Sequence, residues 1–103
     1  MRAVRLSITF NDQLNELLDW GEQRFGIAVA EQKKSIVYTT IEQFLARYPK
    51  TKRREPAHGL CVYLISKTPF VVLYDFDDSE LRVHFIFHKH ADLRELDPMT
   101  VEW

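Results

Sequence analysis

Between Leu60 and His88 the chain carries three apolar runs joined by turns too short for anything but reversal. Leu60 to Ser66 is followed by Lys67-Thr68-Pro69, Phe70 to Phe76 by Asp77-Asp78-Ser79, and Leu81 to His88 closes the series. Runs of this kind, bounded by Gly, Pro, Asp and Ser, read as strands. Turns this tight make consecutive strands antiparallel, so a three-stranded meander is expected. In the third run Leu81, Val83, Phe85 and Phe87 fall on one face, and Arg82, His84, Ile86 and His88 on the other. A sheet with an apolar face has to bury it, and the rest of the chain must supply the cover.

That cover lies upstream. Leu14, Leu17, Leu18, Gly21 and Phe25 recur at helical spacing, with Glu16, Asp19, Glu22 and Arg24 between them. Asn11 and Asp12 are N-cap candidates, and Gly26 is a natural stop. A second helical segment runs from about Ala28 to Tyr48, with Val37, Ile41, Phe44, Leu45 and Tyr48 as its apolar stripe and Pro49 as its end. Almost nothing joins the two helices, which predicts an antiparallel hairpin. Ahead of them, Val4, Leu6, Ile8 and Phe10 alternate with Arg5, Ser7 and Thr9, the pattern of a half-buried strand. The expectation is a single α+β domain over residues 1–103: a helical hairpin packed on a four-stranded antiparallel sheet, in the order β-α-α-β-β-β.

The 103 residues can hide roughly 60–70% of their unfolded surface, enough for one modest core. No apolar run approaches the roughly 18 residues of a membrane span. The opening Met-Arg-Ala-Val-Arg-Leu alternates where a signal peptide would be continuously apolar, and Cys61 is the only cysteine. A cytoplasmic location is expected. The net charge of −1 hides an asymmetry. Residues 1–54 hold ten Lys/Arg against six Asp/Glu, and residues 55–103 hold four against nine. A uniformly basic surface is excluded, but a local basic patch is not.

The order of elements resembles the RelE/ParE superfamily of bacterial toxins from type II toxin–antitoxin systems. The most specific part is Val62-Tyr-Leu-Ile-Ser, Phe70-Val-Val-Leu-Tyr, Leu81-Arg-Val-His-Phe-Ile-Phe-His and then Ala91-Asp-Leu, similar to that family's closing pattern. The long helical hairpin is more similar to ParE than to RelE. The resemblance implies a hetero-oligomer with a cognate antitoxin encoded beside the toxin. It also implies one of two actions: mRNA cleavage on the ribosome for RelE-like members, or inhibition of DNA gyrase without enzymatic activity for ParE-like members.

Cleavage of RNA needs a base, an acid and cations around the phosphate. This chain has Val62 and Leu64 on a strand without Lys or Arg, and Phe70-Val71 where the family often carries an arginine. The ParE-like reading follows, with no catalytic residue, cofactor or metal. A RelE-like ribosome-dependent endoribonuclease is the alternative. It would use His88 and His90 with Lys89 and cations from Lys52, Arg53 and Arg54. A degenerate member that keeps antitoxin binding without toxicity is a further one. His84 and His88, four apart on one strand face, would form a metal site only if a third ligand converged. Lys50, Lys52, Arg53 and Arg54 in the loop of residues 49–59 are candidates for phosphates or for an acidic antitoxin segment, without sequence-specific reading of nucleic acid. Trp20, together with Ile36 and Tyr38 off the helical stripe and Ile86 on the far sheet face, is a candidate surface for antitoxin or target.

Overall fold

A computed structural model describes residues 1–51 and 58–103. The chain runs through strand β1 (Ala3–Leu6), helix α1 (Ile8–Phe25), helix α2 (Ile27–Thr39), a widened helical turn (Thr40–Leu45), a short 3-10 turn (Pro49–Thr51), strands β2 (Cys61–Leu64), β3 (Phe70–Phe76) and β4 (Glu80–His88), and a 3-10 turn at Pro98–Thr100. The strands form one sheet in the order β1-β4-β3-β2. The α+β architecture and the helical hairpin are as the sequence predicts.

One orientation differs. β2, β3 and β4 form the antiparallel meander, but β1 pairs with β4 in parallel, Ala3 opposite Glu80 and Leu6 opposite Val83. Alternation shows that a strand is half-buried and not which way it runs. Tight turns fix direction only inside the meander, and β1 reaches it through a long helical crossover.

The first strand is also shorter than its alternation suggests. Helix α1 begins at Ile8, and Ser7, not Asn11 or Asp12, caps it, its hydroxyl accepting the Phe10 amide at 2.7 Å. Ile8 is then half exposed, while Phe10 and Leu14, four apart on one helical face, are buried. At the other end Gly26 adopts φ +90°, a conformation an L side chain rarely takes, and α2 starts one residue later. Beyond Thr39 the backbone widens, so that Ala46 N–H reaches the carbonyl of Ile41.

The main core lies between the hairpin and one sheet face: Phe10, Leu14, Val37, Ile41 and Leu45 pack against Val72, Tyr74, Leu81, Val83 and Ile86. Each large apolar side chain buried this way contributes roughly 1.5–3 kcal/mol, an upper bound. Phe44 stays partly exposed and meets Tyr48 and Tyr63, both at 5.7 Å between ring centroids.

The far sheet face is covered as well. Leu60, Leu73 and Phe85 are buried there beneath Leu93, Leu96 and Val101 of the C-terminal segment. That segment is pinned to α1, because the Glu102 carbonyl accepts the Ile8 N–H at 2.8 Å and the Glu102 N–H donates to Thr9 Oγ1 at 2.8 Å. The Thr9 N–H also reaches the Glu102 carbonyl at 3.4 Å, so two of the otherwise unpaired N–H groups at the helix start are satisfied by that one oxygen.

Strand β4 contains a bulge that reverses the expected facing of its second half. Leu73 pairs with Phe85 but Tyr74 pairs with Val83, so His84 is the extra residue. After it, Ile86 enters the main core, and Phe85 and Phe87 pass to the far face. A bulge shifts the side-chain alternation by one, which a strict period of two cannot reveal.

Candidate partner-binding groove

Strand β1 ends at Leu6, so β4 has no strand neighbour on that side beyond Val83. Helix α1 stands in its place. The Ser7 hydroxyl donates to the His84 carbonyl at 2.6 Å, and Ile86 N–H donates to Gln13 Oε1 at 2.9 Å. These two bonds satisfy backbone groups that the bulge would otherwise leave open. Past Gln13 the two elements diverge into a groove of about 700 Å³ lined by Gln13, Glu16, Leu17, Trp20, Ile86, Phe87 and His88. Leu17, Trp20 and His88 also wall a narrower apolar hollow of about 50 Å³ that reaches Phe25, Val29 and Phe70.

Trp20 is 54% exposed on this groove, and the Arg24 guanidinium lies 4.3 Å from its ring centroid. Phe25 and Ile27 stand exposed on either side of Gly26. Concentrated apolar exposure beside a groove is the usual mark of a partner surface, and tryptophan is the side chain most often found at its energetic centre.

The other sequence candidates are distributed differently. Ile86 is 1% exposed, on the groove floor and in the core, and Ile36 and Tyr38 are half-buried against that core. The expectation that these three stand in solvent is corrected. Ile86 is turned inward by the bulge, and Ile36 and Tyr38 flank Val37 closely enough to share its packing. His88 lines the groove, its ring centroid 5.3 Å from that of His90. The His90 N–H donates to His88 Nδ1, and the Lys89 N–H to the Pro69 carbonyl. His84 faces the opposite side, so His84 and His88 do not share a face.

Lys50 is not near these histidines. His88 pairs with Phe70 at the start of β3, whereas Lys50 shares a hollow with Arg2, which binds the Asp77 carbonyl just past the end of β3. Six residues of extended strand, about 20 Å, separate the two ends. Lys52, Arg53 and Arg54 lie outside the described residues.

Behind the bulge sits a charged cluster that the sequence reading did not single out. His84 Nε2 is 3.0 Å from Asp75 Oδ1, and Arg82 pairs with Asp75, Asp77 and Glu80. Burial opposes ionisation of Asp75, but the bonds from Arg82 and His84 outweigh it and hold the carboxyl below its ordinary value. Trp103 closes over this cluster, edge-on to His84 at 4.9 Å and beneath Arg5 at 4.7 Å. No local pattern signals these contacts, because they join residues from both ends of the chain.

Among the described residues no helix is long and apolar enough to cross a membrane. No family model and no curated protein matches the chain. Among solved structures it is similar to a chain of the chromosomal ParDE TA system from P. aeruginosa, with a TM-score of 0.74 and 13% sequence identity, covering 85% of this chain and 96% of that one. At that identity the likeness concerns the backbone, and it agrees with the element order found here. The chain therefore has a ParE-like α+β fold.

Proposed function

We propose that the protein is the toxin of a type II toxin–antitoxin pair, ParE-like in character, and that its cognate antitoxin occupies the groove between α1 and β4. The observation that carries this reading is the exposed Trp20 on an apolar groove beside a strand edge that no strand covers. A partner segment laid there would bury the Trp20 ring and could reach the end of β4. The fold shared with a ParDE system chain supports the same reading.

The toxin would act by binding a cellular enzyme, with DNA gyrase the target the resemblance suggests. A RelE-like nuclease is favoured by one observation only, the pairing of His88 and His90 beside Lys89. The described cation Lys50 lies at the opposite end of β3 from that pair. Induced expression without antitoxin, followed by separate readouts of DNA supercoiling and of mRNA ends on translating ribosomes, tests the proposal. Growth arrest with lost supercoiling and intact mRNA is expected. Codon-linked mRNA cuts would support the nuclease, and unimpaired growth would indicate a non-toxic member that only binds antitoxin.

A further inference from the structure

We propose that a basic hollow formed by the first strand and the end of the helical hairpin binds the phosphate backbone of single-stranded nucleic acid, without reading its sequence. Arg2, Arg47, Tyr48, Pro49 and Lys50 enclose a space of about 380 Å³, and Arg2 and Arg47 also wall an adjoining one of about 420 Å³. Among the described residues Asp78 is the one carboxylate residue lining either space. The site shares no residue with the groove along α1 and does not depend on what fills that groove.

The charges converge there without an ion-pair partner among the described residues. Arg2 is held by neutral groups: its Nε donates to the Asp77 carbonyl at 2.6 Å, and its guanidinium lies 5.4 Å from the Phe76 ring centroid. Among the described residues no carboxylate forms an ion pair with Arg2, Arg47 or Lys50. The neighbouring Arg82 shows the contrast, being committed to three carboxylates. A hollow with three cations that no described carboxylate pairs, and one described acidic wall residue, selects an anion.

The aromatic rim narrows the class. Tyr48 is 58% exposed on the wall of the hollow, next to Phe44 and, through it, Tyr63. Cations that take phosphates beside rings that take base faces are the combination by which single strands are held regardless of sequence. An acidic peptide would use the cations and leave the rings idle. The sequence shows only a basic loop without interleaved aromatics. The fold brings Arg2, 45 residues before Arg47 in the chain, onto the hollow's wall beside Tyr48.

The test is fluorescence anisotropy of the full chain with labelled DNA and RNA oligonucleotides of one mixed sequence, about 16 nucleotides long. With about three phosphates contacted, affinity should fall about 20-fold between about 50 and 200 mM salt. The double variant Arg47→Glu, Lys50→Glu should lose at least about tenfold at the lower salt, with an unchanged unfolding midpoint because both side chains are exposed. Tyr48→Ala should lose about tenfold toward single strands and leave any duplex binding as it was. Equal affinity for DNA and RNA would fit backbone contacts alone, and tighter RNA binding would add a 2′-hydroxyl contact; both support the site. The proposal is overturned if there is no binding at about 10⁻⁴ M, the weak end of non-specific affinity. It is overturned equally if the double variant binds like the parent, or if polyglutamate displaces the oligonucleotide more effectively than unlabelled oligonucleotide does.

Discussion

The hydroxyl of Ser7 joins the start of helix α1 to the bulge of strand β4: it donates to the His84 carbonyl at 2.6 Å while accepting the Phe10 amide at 2.7 Å. One fully buried side chain thus ends β1, caps α1 and satisfies the extra residue of β4. Ser7→Ala removes both bonds and leaves the His84 carbonyl without this partner. A loss of about 2 kcal/mol in urea unfolding is expected, near the top of the range for a helix cap. A loss below about 0.5 kcal/mol, typical of a surface change, would show that the cap and the bulge are not coupled through this residue.

The bulge makes a second prediction. Without it Ile86 would face outward, and truncating it would cost little. In the structure it belongs to the main core, so Ile86→Ala should destabilise by about 2–5 kcal/mol. Thermal or denaturant unfolding of that variant, beside Lys89→Ala as an exposed control, separates the two registers.

Asp75 sets a pH dependence. Its carboxyl is held below the ordinary 3.8 in the folded protein. The unfolded chain therefore takes up the proton first as pH falls. The stabilisation is present above 3.8 and is lost as pH drops through the lower, folded value. Asp75→Asn should be less stable than the parent near pH 7, and its stability should fall less steeply below pH 3.8. Parallel acid-unfolding curves for the two proteins would contradict the role given to the cluster of Arg82, His84 and Asp75.

His88 distinguishes the two proposed mechanisms. A nuclease that used it as acid or base would lose about 10²–10⁴ in rate on His88→Ala. A toxin that acts by binding transfers no proton, so growth arrest by the His88→Ala protein should match the parent once folding is confirmed. Mapped mRNA cuts that vanish in this variant would reverse the assignment.

The architecture was legible because its signals are local. Lys67-Thr68-Pro69 and Asp77-Asp78-Ser79 force the meander, Gly26 divides the hairpin, and Pro49 closes it. What escaped depends on contacts distant in the chain. Ser7 lies inside a run that alternates as far as Phe10, so its capping role shows only when Phe10 and Leu14 turn to the core together. The bulge at His84 leaves Leu81, Val83, Phe85 and Phe87 looking like one uninterrupted face. One of the four residues of the proposed surface moved for that reason: Ile86 went inward, while Trp20, between the two apolar spacings of α1, is exposed. The hollow of Arg2, Arg47 and Lys50 needs both ends of a long stretch of chain, and only Lys50 among its cations was singled out in the sequence.

The groove itself is tested by the affinity of the protein for the product of its adjacent gene, measured by calorimetry with the parent and with Trp20→Ala. The Trp20 ring is exposed and lies outside the core, so the variant should unfold at the same midpoint as the parent. If the antitoxin buries that ring, binding should weaken by at least about 30-fold, the loss of a hot-spot tryptophan worth about 2 kcal/mol. Undiminished affinity in a folded Trp20→Ala protein, or a parent protein that does not bind the adjacent gene's product at all, would contradict the account.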